Sequence, residues 1–191
     1  MVNCMGIPVE KLYIFISGPS DTQREKDLIK SVIESLSKVF CPRLDIVLEA
    51  TMGDTHAMAG VGRPQSKINP WVSKCDLFIG IFKNKYGTYT GKYNSGSKEE
   101  FNIAFKRNLV TKGIPEILLF FKKRCNKNIS KNIEAELKRI FKFKEDIRKK
   151  IYFETYSSDR ILIFYCYEQI IQWIYKIKKP IAEMKNVLED E

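Results

Sequence analysis

The stretch Ser95-Gly96-Ser97-Lys98-Glu99-Glu100-Phe101-Asn102-Ile103-Ala104 gathers the residue types most able to do chemistry in this chain. It offers a small-residue loop, the start of a helix and a carboxylate one turn into that helix. The exposed N–H groups at a helix start favour a negative charge, so Glu100 is placed to stay ionised. Two capping arrangements are open. If Ser97 is the N-cap, Ser97-Lys98-Glu99-Glu100 is a capping box, and Glu100 folds back onto the Ser97 amide as a structural group. If Ser95 is the N-cap, Glu100 lies deeper in the first turns and is free to face a pocket. Phe101, Ala104, Phe105 and Leu109 form the apolar stripe of this helix; Glu100 borders it and Glu99 points to solvent.

Short apolar runs alternating with helical patterns must position that stretch. Lys11–Ile16 reads as a first strand and Ser17-Gly18-Pro19-Ser20-Asp21 breaks it. Ser20 or Asp21 is placed to cap a helix carrying Leu28, Ile29, Val32, Ile33, Leu36, Val39 and Phe40, which Cys41-Pro42 ends. Asp45–Glu49 is a short second strand. A helix runs from about Pro64 to Lys74, with Trp71 on its core face. Leu77–Phe82 is a third strand, followed by a glycine- and tyrosine-rich loop and the Lys98–Val110 helix. Glu116–Phe121 is a fourth strand, Ile133–Lys150 a charged amphipathic helix, Ile151–Glu154 a short edge strand. The last helix runs from Asp159 to Lys178 and stops before Pro180. Such β-α alternation predicts an α/β fold: a flavodoxin-like, five-stranded parallel sheet with helices on both faces. In an open sheet of this kind ligands bind at the carboxyl ends of the strands, where the Ser17–Asp21, Thr51–Pro64 and Tyr86–Ser97 loops converge.

Composition narrows the function classes. The 191 residues suit one domain with a real core. No apolar run approaches the roughly 20 residues that span a bilayer, and no secretory signal is evident, so a cytoplasmic location is expected. Five scattered cysteines read as free thiols, and one histidine in the chain argues against a zinc site. No metal or bound cofactor is expected. The net charge of +10 raises nucleic acid as a partner on charge alone; a solvated lysine-rich surface explains it better. The first loop has neither a P-loop nor a G-x-G-x-x-G fingerprint. His56 lies in the long second loop without triad partners.

Three segments resemble a family. Ile14-Phe15-Ile16-Ser17-Gly18-Pro19-Ser20-Asp21 resembles the opening strand and S-S-P-x-D loop of bacterial TIR-like domains, the kind found at the front of anti-phage and NLR-like proteins. Gly62–Asn69 followed by Cys75–Gly80 resembles their middle. Tyr86–Gly91 followed by Ser95–Phe101 resembles their G-T-x-T-G…S-G-T-x-E-E-F signature. Gly96–Ala104 is also similar to the G-T-x-x-E-x-x-x-A pattern of nucleoside deoxyribosyltransferases. The resemblance implies a TIR-like domain over residues 1–180, with 181–191 as an acidic tail or linker. It implies an NAD glycohydrolase (NADase) effector in antiviral defence, a hydrolase active after self-association and taking NAD as substrate. The alternatives are a non-enzymatic assembly or signalling module, or a nucleoside or nucleotide N-glycosidase or deoxyribosyltransferase-like enzyme.

On this resemblance Glu100 is the catalytic residue. Nicotinamide in NAD is already cationic and leaves without a general acid, so one ionised carboxylate beside an oxocarbenium-like centre suffices, rather than the pair of ordinary glycosidases. Ser17, Pro19, Ser20 and Asp21 would hold ribose or phosphate oxygens, Arg63 would pair a phosphate, and Tyr86 would stack on a ring. Gly87, Ser95 and Ser97 would complete the substrate site.

Overall fold

The computed structural model describes residues 8–53, 63–123 and 130–189. Its strands are β1 (Glu10–Ser17), β2 (Ile46–Met52), β3 (Leu77–Phe82), β4 (Glu116–Lys122) and β5 (Glu154–Tyr156). Its helices are α1 (Gln23–Val39), α2 (Pro64–Val72), α3 (Gly96–Val110), α4 (Lys131–Ile147) and α5 (Asp159–Glu189). The five strands lie in the order β2-β1-β3-β4-β5 and every pairing is parallel. This is the flavodoxin-like order, whose chain direction across the sheet reverses between β1 and β3.

The period of two along each strand sorts side chains between two layers. Leu12, Ile14 and Ile16 of β1 and Leu77, Ile79 and Ile81 of β3 join a mostly aliphatic core beneath α1 and α5. Phe15, Phe78, Phe82, Ile117, Leu119 and Phe121 face the other way, into an aromatic core with Phe101 and Phe143 from α3 and α4. The same period puts Ser17, two residues after Phe15, on the aromatic side at the carboxyl end of β1.

Four expectations are corrected. The edge strand is Glu154–Tyr156 rather than Ile151–Glu154, pairing with Phe120–Lys122. The last helix continues through Pro180 to Glu189. A proline costs a helix about 3 kcal/mol, and good helix formers on both sides, Lys178-Lys179 and Ala182-Glu183-Met184-Lys185, offset it. Trp71 is 37% exposed on α2 rather than in the core, because Ile68 and Val72 carry the buried face. Neither Ser20 nor Asp21 caps α1: a 3-10 turn over Ser20–Thr22 leads into it, and no side chain caps its first N–H groups. His56 and most of the Thr51–Pro64 loop lie outside the described residues, as do Cys4 and Cys125. Cys41, Cys75 and Cys166 are free and buried; burial pushes the Cys75 thiol up to about 12. Among the described residues no helix is long and apolar enough to cross a membrane, and no group of three or more His, Cys, Asp or Glu could hold a metal ion.

Candidate functional site

Helix α3 starts at Ser95. Its backbone is extended, and its hydroxyl accepts a hydrogen bond from the Lys98 N–H at 3.3 Å while donating to the Tyr86 carbonyl at 2.5 Å. Ser95 is therefore the N-cap, and the capping box on Ser97 does not form. Gly87 lets the preceding loop approach this cap. It has φ of +111°, and a Cβ there would lie 2.6 Å from Ser95 Oγ. With the cap at Ser95, Glu100 stands in the second turn and points toward the sheet.

Both oxygens of Glu100 accept hydrogen bonds. Ser17 Oγ, at the end of β1, donates to Oε2 at 2.5 Å, and Gln65 Nε2, in the first turn of α2, donates to Oε1 at 2.7 Å. Glu100 is 7% exposed, and that remaining surface lines a cleft of about 770 Å³ at the β1/β3 reversal. The volume falls in the range of small-molecule sites, and the place is where such sheets bind ligands. Gly18, Pro19 and Ser20 form one wall, Arg63, Pro64, Gln65 and Ile68 a second, Lys85 and Gly87–Thr90 a third. Gly96 and Ser97 lie beside Glu100, and Glu136 and Arg139 of α4 close the far side.

Glu99 is the largest departure from the sequence reading. It is 2% exposed, not solvated. Arg63 grips it in a fork, Nη1 at 3.0 Å and Nη2 at 2.5 Å, with Asn69 Nδ2 at 2.9 Å and Thr90 Oγ1 at 2.7 Å. Burial alone would push its carboxyl up; the hydrogen bonds from Arg63, Asn69 and Thr90 and the guanidinium charge outweigh that and hold it below the ordinary range. The helical wheel counted only the apolar stripe, but α2 packs a polar face against α3.

The other candidate residues divide. Pro19, Ser20, Arg63, Gly87 and Ser97 line the cleft with Glu100, whereas Ser17, Asp21, Tyr86 and Ser95 lie behind its walls. Arg63 donates to Glu99 and to the Thr90 carbonyl instead of presenting an unengaged guanidinium. Tyr86 is 8% exposed, stacked on Phe82 with the Arg139 guanidinium 4.7 Å from its ring centre. Its place as a ring platform is taken within the protein itself. Asp21 accepts from the Asn84 and Lys85 N–H groups at 2.9 and 3.2 Å, joining the first and third loops.

Sequence reasoning gave no role to Gln65, Asn69, Thr90, Glu136 or Arg139. Glu136 accepts from the Tyr86 N–H at 2.7 Å and from Arg139 at 2.6 Å. Burial raises the Glu136 carboxyl, but these donors and the Arg139 charge bring it below the ordinary range. The one available signal lay at the start of α2, where Arg63 at the N-cap and Gln65 and Asn69 recur within two turns.

A family model described as "Domain of unknown function (DUF4062)" matches residues 13–170, which takes in β2 to β5, β1 from Tyr13 onward, the first loop and every cleft residue named above. No curated protein matches the sequence.

Proposed function

This chain belongs to the DUF4062 family, and we propose that it is an NAD glycohydrolase effector that cleaves the nicotinamide–ribose bond, with Glu100 as its catalytic carboxylate. The observation that carries the reading is the setting of Glu100: held by Ser17 and Gln65 where its remaining surface lines a dinucleotide-sized cleft at the sheet reversal. Glu136, the second carboxylate in that cleft, is engaged by Arg139 and the Tyr86 amide. Glu100 is then the one carboxylate proposed to face the reacting carbon, which suits a leaving group that needs no general acid.

In the proposed reaction the C1′–N bond breaks and its electron pair neutralises the pyridinium nitrogen, so that nicotinamide departs. Positive charge develops at C1′ and the ring oxygen, opposite the Glu100 carboxylate, which stabilises it. A water oxygen then bonds to C1′ and its proton passes to solvent, giving ADP-ribose. Ser17 and Gln65 fix the carboxylate so that little reorganisation accompanies charge development. The likeness to defence-associated TIR-like domains supports a role in bacterial antiviral defence, with activity completed by self-association.

The test compares wild type with Glu100→Gln for NAD loss, at high protein concentration and on a forced-oligomer scaffold. We expect turnover in wild type and a fall of 100-fold or more in the variant, on the order of the contribution of one transition-state electrostatic group. Equal rates would remove Glu100 from the chemistry. Mass spectrometry of the products separates NAD cleavage from hydrolysis or base exchange on another nucleoside. An assembly module without enzymatic activity would show no turnover in either format.

A further inference from the structure

We infer that Glu99 is a positioning residue for Glu100, setting through Asn69 and Gln65 which end of the Gln65 carboxamide meets the catalytic carboxylate. Three hydrogen bonds connect the two neighbouring glutamates by a path outside the backbone. Asn69 Nδ2 donates to Glu99 Oε1 at 2.9 Å, and Asn69 Oδ1 accepts from Gln65 Nε2 at 3.3 Å. The same Gln65 nitrogen donates to Glu100 Oε1 at 2.7 Å, and Ser17 completes the carboxylate from the other side.

The direction of this chain follows from donor and acceptor inventory. An ionised carboxylate only accepts, so Glu99 obliges Asn69 to turn its NH₂ outward to it. Asn69 must then offer its oxygen to Gln65, and Gln65 must answer with its NH₂ group. That group carries two hydrogens, one for Asn69 and one for Glu100. The polarity imposed at Glu99 therefore arrives at Glu100 as a donor, which favours the ionised carboxylate. Arg63 and Thr90 hold Glu99 itself in place from α2 and the loop after β3, and the paired guanidinium keeps it ionised. Gly96 leaves room for the Gln65 oxygen, since a Cβ there would stand 2.9 Å from it.

A glutamine at position 99 removes the anchor. Its own NH₂ can donate to Asn69, which permits Asn69 and then Gln65 to flip, and Gln65 would present an oxygen to Glu100. The protonated form of Glu100 is then favoured. The role of Glu99 in catalysis rests on the reading of Glu100 above, but the relay itself can be tested without turnover. The charged groups lining the cleft, Arg63 at the N-cap of α2, Lys85 after β3 and Glu136 and Arg139 on α4, and the buried Glu99 of α3 remain in a variant that cuts the relay at Asn69; β1 contributes the uncharged Ser17.

The experiment follows the Glu100 side-chain carboxyl ¹³C resonance against pH in wild type, Glu99→Gln and Asn69→Leu. The second variant keeps the Arg63–Glu99 pair and guards against a folding defect in the first. Both variants should raise the Glu100 titration midpoint by about one to two pH units, the size of one hydrogen bond to a charged group. If wild type cleaves NAD, the acid limb of kcat should move up with it, about ten- to hundredfold in rate below the wild-type midpoint for a shift of one to two units, with KM little changed. An unshifted Glu100 midpoint in a folded Asn69→Leu protein overturns the relay. Absent NAD turnover in wild type with a shifted midpoint overturns the proposed reaction and leaves the relay standing.

Discussion

The two layers that cover the sheet are built from different materials. Beneath α1 and α5 the buried set is dominated by Ile, Leu, Val and Cys, with Phe120, Tyr156 and Trp173 as its aromatic members. On the other side Phe15, Phe78, Phe82, Tyr86, Phe101, Phe121 and Phe143 sit in mutual contact. Phe143 has ring centres 5.2 and 5.1 Å away at Phe82 and Phe101. The Lys98 ammonium lies 4.2 Å from the centre of the Phe143 ring, and burial pushes the Lys98 pKa down. Gln65, Ser95, Ser97, Glu99 and Glu100 are all buried on this aromatic side. Aliphatic side chains pack densely with no directional demand. Aromatic edges and faces have preferred geometries, and a polar constellation needs walls that hold it within about 0.5 Å. The aromatic layer is that wall, so damage on the two sides should differ in kind as well as in size.

The largest expected effect tests this directly. Phe143→Ala should destabilise the protein by about 3–5 kcal/mol, and Leu162→Ala, fully buried on the aliphatic side, by about 2–5 kcal/mol. Urea unfolding gives both numbers. The distinction lies in the side-chain amide signals of Gln65 and Asn69. Phe143→Ala should shift or broaden them in the folded protein, and Leu162→Ala should leave them where they are. Equal disturbance from both variants would mean the layers are mechanically one.

A smaller substitution separates function from stability within the aromatic side. Gly96→Ala places a methyl against Gln65 Oε1, the far end of a flexible side chain. Gln65 can move away, and alanine gains helix propensity, so stability should stay within about 1 kcal/mol of wild type. The Gln65–Glu100 hydrogen bond should lengthen, visible as a shifted Gln65 amide and, if the proposed reaction holds, as a reduced kcat. A loss of several kcal/mol would show instead that Gln65 is rigidly fixed.

Much of the fold was legible because strand and helix periods are local. Leu77–Phe82 reads as a strand buried on both faces from its residues alone, and it is buried throughout. β-α alternation then leaves few topologies for five parallel strands. Register was less legible: Ile151–Phe153 is as β-prone as Glu154–Tyr156, and only pairing with β4 chooses between them. The site divides along the same line. Glu100 stands out by its place after a small-residue loop, but Glu99 was assigned to solvent because its partners Arg63 and Asn69 lie on a different helix. Tyr86 looked like a platform for a ligand because a tyrosine in a glycine-rich loop gives no hint that α4 brings Arg139 over it.

Acid is the gentlest probe of the difference between the layers. Glu99 and Glu136, both on the aromatic side, are held below the ordinary carboxylate range, largely against their own burial. A carboxyl depressed on folding contributes stability that is present above its unfolded value, about 4.3, and is lost as pH falls through the folded value. Nothing should therefore change from these groups between pH 7 and about 5. Below about pH 4 protonation of Glu99 removes the buried fork with Arg63 that ties α2 to α3, while the aliphatic contacts of α1 with α5 carry no charge and the Arg24–Asp159 pair beside them is largely exposed and contributes little. Amide exchange, corrected for each amide's intrinsic rate, should accordingly show α2 losing protection before α1 and the first half of α5. In Glu99→Gln the α2 amides should already be less protected at pH 7, and their further loss in acid should be smaller. Simultaneous loss across both layers would place the acid-sensitive contacts elsewhere and dissolve the mechanical distinction between the two sides.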